Sequence, residues 1–158
     1  MRFYKVFKNI HKKELELLEY NPNLDYQSYL DENRRIGNLN LILNTKILIK
    51  VALVLIEKDY KFTNIELQES PFIDVEDYSF KNINTLYKLN ELSEEFLNDN
   101  GYVIKIKEIK FVNHLTLEGI TIKSNGIIIF ENTSTNESVN QLSKILNEIF
   151  GVDCYANI

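Results

Sequence analysis

Along the last third of this chain, apolar positions first alternate with polar ones and then fall into a helical rhythm. The alternation shifts parity on the way. Ile104 and Ile106 share one parity and Ile109 and Phe111 the other, while Leu115 and Leu117 are odd and Ile120 and Ile122 even. Side chains on a strand alternate between faces, so an uncorrected one-residue slip would turn an apolar set toward solvent. The pattern predicts bulges near Lys107-Glu108 and near Glu118-Gly119 that keep the core face consistent. Ser124-Asn125-Gly126-Ile127 carries the Asn-Gly pair of a two-residue type I′ hairpin, whose central residues need positive φ. That turn pairs Ile122 with Ile129 and Lys123 with Ile128. One face then holds Ile120, Ile122, Ile127 and Ile129. The other holds Thr121, Lys123, Ile128 and Phe130, a mixed set that a helix or a partner has to cover. From Glu137 to Phe150, Val139, Leu142, Ile145, Leu146 and Ile149 recur at helical spacing, with Gly151 as the stop.

Upstream, the signals are shorter. Residues 2–8 are aromatic-rich and predict a strand. Residues 10–20 predict a helix broken by Asn21-Pro22-Asn23, because proline removes a donor and restricts its neighbour. Residues 24–35 predict a second short helix, with Gly37 as a left-handed residue after its end. The stretch 39–60 is apolar on nearly every side, and Asn44 stands where a cap would be. Its β-branched residues also suit a strand, but its length favours a helix. In residues 61–79, Thr63, Ile65 and Leu67 alternate, as do Ile73 and Val75, with Ser70-Pro71 between them; two short strands or irregular structure follow from this. Ile83, Leu86, Leu89, Leu92, Phe96 and Leu97 predict a helix over 82–98, stopped at Asn100-Gly101. The expected fold is therefore α+β in a single domain, residues 1–158. An antiparallel sheet of three to five strands, mainly residues 102–131, is packed on one face by helices, with a central apolar helix near residues 39–58.

Composition changes the picture in two ways. At 158 residues and 44% hydrophobic, the chain can bury a core without disulfides or metal. Its single cysteine, Cys154, has no internal partner, and MRFYKVFKNI lacks a signal-peptide pattern, so the expected setting is reducing and cytoplasmic. Lysine outnumbers arginine fifteen to three, and alanine occurs only at Ala52 and Ala156. This is the bias of an AT-rich genome, and it lowers the weight of any single Asn or Lys. The net charge is −5, and Glu66, Glu69, Asp74, Glu76 and Asp77 alone equal that excess. An acidic chain is poorly suited to sequence-independent nucleic-acid binding, which works by neutralising phosphates.

Few residues carry chemistry. His114-Leu115-Thr116 resembles one of the two His-x-Thr/Ser motifs of the two-histidine phosphoesterases, but the other histidine, His11, is followed by Lys12-Lys13. Glu108-Ile109-Lys110 resembles the Glu-x-Lys of metal-dependent nucleases of the restriction-endonuclease type. That likeness implies Mg²⁺ held by Glu108 and a further acid, with Lys110 at the attacking water. No Asp lies in the strands leading to Glu108. The hairpin and final helix resemble half of a TATA-binding-protein repeat, which implies a sheet facing DNA. The five glycines form no phosphate-binding loop, and no serine or cysteine has a nucleophile's setting.

The acidic stretch interleaves carboxylates with Phe72, Tyr78 and Phe80, a composition suited to docking on a basic surface. The expectation is a small intracellular protein-binding module of inhibitor or immunity type, from a prokaryotic, phage or mobile-element source. Its partner-binding residues are Glu66, Glu69, Phe72, Asp74, Glu76, Asp77 and Tyr78. No cofactor, metal or catalytic residue is expected, nor a membrane partner, and the mixed hairpin face leaves room for a homodimer. The alternatives are a nucleic-acid-binding domain using the C-terminal sheet (Lys105, Lys107, Lys110 and Lys123) and a degenerate Mg²⁺-dependent nuclease around Glu108 and Lys110.

Overall fold

The computed structural model describes residues 1–68, 91, 97–98, 101–102, 105–132 and 136–153. Its elements begin with β1 (Arg2–Asn9), β2 (Glu14–Glu19), α1 (Tyr26–Arg35), β3 (Asn38–Asn40), α2 (Thr45–Glu57) and β4 (Tyr60–Leu67). After these come β5 (Leu97–Asn98), β6 (Gly101–Tyr102), β7 (Ile106–Asn113), β8 (Gly119–Lys123), β9 (Ile127–Glu131) and α3 (Glu137–Asp153). The fold is α+β around an open antiparallel sheet of seven strands among the described residues, larger than the three to five expected. The order is β2-β1-β9-β8-β7-β4, and β3 extends the side of β1 where β9 ends. The sheet thus draws three strands from the first forty residues. β5 and β6 pair only with each other among the described residues, so Leu97 and Asn98 are strand rather than the end of a helix. Most of the helix expected over 82–98 lies outside the described residues, as does everything expected for residues 69–79.

The first correction falls on residues 10–20. They form a turn and a strand, not a helix. The Asn9 side chain accepts from the backbone N–H groups of both His11 and Lys12, and Lys13 takes φ +57. That turn folds β2 back on β1, and Leu15 and Leu17 then face the core that the leucines of a lone helix would lack. Outer strands expose unpaired backbone groups. Asn147 on α3 covers one such site: its amide donates to Leu15 O (3.0 Å) and accepts from Leu15 N–H (2.7 Å).

The central helix appears as expected but shorter. Asn44 caps it, accepting from Ile47 N–H at 3.0 Å, and α2 runs from residue 45 to 57. Residues 39 and 40, which the apolar pattern had joined to it, belong to β3. Leu48, Val51, Ala52 and Leu55 of α2 and Leu142, Ile145 and Leu146 of α3 bury against Ile109, Phe111, Ile120, Ile122, Ile128 and Phe130. The opposite face is not bare. Phe7, on the other parity of β1 from Tyr4 and Val6, is fully buried with its ring 5.7 Å from that of Tyr29 on α1. Helices thus touch both faces of the sheet, not one.

The bulge expected at Lys107-Glu108 is present: Leu67 pairs with Ile106 but Glu66 with Glu108, leaving Lys107 extra. The parity change at Glu118-Gly119 has a different origin. Residues 114–118 are the loop between β7 and β8, with Leu115 and Leu117 72% and 67% exposed. The hairpin register is also one residue off the expectation. Ile122 pairs with Ile128 and Ile120 with Phe130, so Ile128 and Phe130 are the buried pair while Ile127 and Ile129 share the other face with Thr121 and Lys123. The loop has three residues, Ser124 to Gly126, with Gly126 N–H donating to Lys123 O at 2.9 Å and Gly126 alone at positive φ (+80). Phe130 decides the register. It packs edge to face on Tyr4 at 5.6 Å, and exposing it would forfeit about 2–3 kcal/mol, which outweighs the local preference of an Asn-Gly pair. Gly151 lies inside α3 instead of ending it.

Candidate functional site

β4 and β7 are neighbours, hydrogen-bonded to their very ends. Leu67 pairs with Ile106, and Gln68 N–H donates to Lys105 O at 2.8 Å. Adjacent antiparallel strands are usually joined by two to five residues. Here residues 69–104 intervene, thirty-six in all. They carry eight acidic residues against Lys81 and Lys88, a net charge of −6, while the rest of the chain carries sixteen basic against fifteen acidic. The whole formal excess of the protein thus leaves the sheet and returns to it at one point.

Of the residues expected to bind a partner, Glu66 lies at that point. Glu69, Phe72, Asp74, Glu76, Asp77 and Tyr78 lie outside the described residues. Glu66 sits on β4 directly across from Glu108 on β7 and is bonded to Lys107, whose ammonium holds the Glu66 carboxyl below its ordinary pKa. Glu108 is enclosed by cations. Lys110 lies 3.0 Å from one carboxylate oxygen and Lys123, its partner across β8, 3.5 Å from the other, with the Glu108 side chain only 10% exposed. Glu108 raises the pKa of Lys110 in turn. The strand alternation builds this ladder, because positions two apart on β7 and opposite positions on β4 and β8 share a face. Its chemistry is charge pairing: three of the four lysines a nucleic-acid reading would use are bonded to carboxylates. Among the described residues, no group of three or more His, Cys, Asp or Glu is placed to hold a metal ion.

A cavity of about 520 Å³ opens at the same end of the sheet. Its apolar lining is Ile42, Leu43 and Ile106, and Asn44, Thr45 and Lys46 at the start of α2 line it too. Gln68 and Lys105, where the acidic segment leaves and re-enters, also line it, with Ser124 from the hairpin tip. Hydrogen bonds knit these walls: Ile106 N–H to Thr45 Oγ1 (3.0 Å), Leu43 N–H to Ser124 O (2.8 Å) and Ser124 N–H to Lys107 O (2.8 Å).

Behind the hairpin tip stands Lys5, a residue the sequence does not single out. It is fully buried, donating to Leu41 O (2.8 Å) and Val6 O (3.0 Å), with its ammonium 5.4 Å from the centre of the Phe7 ring. Burial pulls its pKa down to about 8. The available signal was a lone lysine in the aromatic run Phe3 to Phe7, which strand periodicity alone cannot assign to a buried face. His114 is exposed, with Nδ1 2.7 Å from Asp59 O, and so ties the β7–β8 loop to the turn before β4. Comparison with known proteins adds no relative: no family model, curated protein or solved structure matches the chain. Among the described residues, no helix is long and apolar enough to cross a membrane.

Proposed function

We propose that this chain is a small protein-binding module that captures a basic partner through its acidic-aromatic segment, as a cytoplasmic inhibitor or immunity-type protein would. One observation carries the reading: two strands bonded to their ends are joined by thirty-six residues of net charge −6 where a tight turn would serve the sheet. Connections between the elements of a sheet are where binding residues concentrate, and this one is long enough to hold β5 and β6 of its own. Carboxylates interspersed with Phe72, Tyr78 and Phe80 supply both long-range steering and apolar anchors. The state of the sheet lysines favours this over nucleic acid, since Lys107, Lys110 and Lys123 are already paired with Glu66 and Glu108.

The test is partner capture from the native host with the wild-type chain and with Glu69→Lys, Asp74→Lys, Glu76→Lys and Asp77→Lys combined, followed by titration of the purified partner. Affinity should fall about 100-fold or more, be strongly salt-dependent in the wild type, and change with no loss of thermal stability. Equal affinity for the quadruple variant sinks the reading. Glu66→Gln belongs in a separate variant, because Glu66 also bonds Lys107.

A further inference from the structure

We infer that the cavity between the start of α2 and the ends of β4 and β7 is a binding site for a small phosphomonoester with an apolar body. The cavity itself carries the inference. Its volume of about 520 Å³ falls in the range of small-molecule sites, and Ile42, Leu43 and Ile106 give it an apolar lining for such a body. Lys46 and Lys105 both line it, from separate elements, and among the described residues no Asp or Glu does. In a chain of net charge −5, two cations brought together from separate elements run against the composition.

Among the described residues, neither lysine makes an ion pair of the kind that engages Lys107, Lys110 and Lys123, and both are exposed enough to turn toward a ligand. Two ammonium groups match the two charges of a phosphomonoester better than the single charge of a carboxylate. The backbone adds donors on the same side. Asn44 takes the N–H of Ile47, while the N–H groups of Thr45 and Lys46 belong to the helical turn that has no intrahelical acceptors. Ser124, whose carbonyl is already bonded to Leu43 N–H, contributes a hydroxyl from the opposite wall. Binding here is read through Lys46 and Lys105 and not through the carboxylates of the acidic segment, so it stands or falls separately from partner capture.

Three aromatic probes separate charge from shape: phenyl phosphate, benzoate and benzyl alcohol, each titrated into the full-length chain and followed by amide chemical shifts. Phenyl phosphate should bind best, benzoate more weakly and benzyl alcohol least, with shifts centred on Thr45, Lys46, Ile106 and Ser124. Lys46→Gln and Lys105→Gln should each weaken phenyl phosphate roughly tenfold, and Lys→Arg at either position should retain most of the binding. Because both side chains are exposed, the variants should keep the wild-type spectrum elsewhere. Three outcomes overturn the inference: benzyl alcohol matching phenyl phosphate, the double Lys→Gln variant binding as tightly as wild type, or shifts centred away from the four residues.

Discussion

Two pairs of neighbouring strands in this sheet are closed in opposite ways. β8 and β9 are joined by three residues, Ser124 to Gly126, and the tip of that loop is fastened from below. Val6 N–H donates to Gly126 O and Leu43 N–H to Ser124 O, and beneath the tip the buried Lys5 ammonium donates to Leu41 O. β4 and β7 are bonded just as completely along their length but are joined by thirty-six acidic-rich residues. Equal strand pairing with such unequal connections separates two demands on one sheet. The short loop is chosen by the core, because its register buries Ile128 and Phe130. The long one serves no strand register, since Gln68 and Lys105 are already bonded across its base. Its length and acidity are not required by the pairing of β4 with β7.

The tight connection should be the fragile one. A Cβ at Gly126 would stand 2.4 Å from Leu41 O and 2.5 Å from Lys5 Nζ, at a backbone φ of +80. Neither a carbonyl in the backbone nor a fully buried ammonium has room to retreat. Gly126→Ala should therefore cost about 3 kcal/mol or more, read as a lowered midpoint in urea. A loss under about 1 kcal/mol would show that the tip yields and that the comparison overstates its rigidity.

Next in size is the pH response of Lys5. Its folded pKa of about 8 lies below its ordinary 10.5, so between those values the unfolded chain binds more protons. Stability should rise with pH across that window, by up to about 3 kcal/mol in full, and the penalty for holding the charge is complete below pH 8. The clean range is pH 7 to 9.5. Above it, Tyr4, Tyr26, Tyr29 and Tyr60, whose pKa values burial raises, lose stability as the unfolded chain ionises first. Lys5→Met should remove the rise. At pH 9.5 it should be less stable than wild type by about 1–3 kcal/mol, because it strands the Leu41 carbonyl, and the gap should narrow at pH 7. Parallel stability curves for the two proteins would mean that Lys5 stays charged in the fold across this range, as it does in the unfolded chain.

No loss of stability is expected at the long connection. Replacing residues 69–104 by Ser-Asn-Gly, the loop of the other hairpin, should leave the sheet's circular dichroism intact and raise unfolding stability by up to about 2 kcal/mol through easier closure, while abolishing partner capture. Loss of folding would place the segment among the supports of the sheet and erase the contrast.

Much of the local structure was legible in the residues. Asn44 marked the start of α2, the parity shift at Lys107-Glu108 marked a bulge, and Val139, Leu142, Ile145 and Leu146 marked the buried stripe of α3. The paired environment of Glu66 was not legible, because it depends on β4 lying beside β7 across forty residues of chain. The partnership of Glu108 with Lys110 was half visible as Glu-x-Lys, but its enclosure by Lys123 needed the β8 register.

The sequence by itself determined periods, caps and the placement of charge, since each of these is set by residues a few positions apart. It determined that the chain is α+β and that its acidity sits in one stretch. Tertiary structure alone decided that residues 14–19 are a strand, that Phe130 and not Ile129 faces the core, and that Lys5 is buried. It also decided that the acidic stretch leaves and returns between two bonded neighbours. The physical reason is common to all four. Helix and turn preferences are worth tenths of a kcal/mol to about one, and burying a large side chain against a distant element is worth several times that. Where the two compete, the distant partner wins, and it cannot be seen from one side.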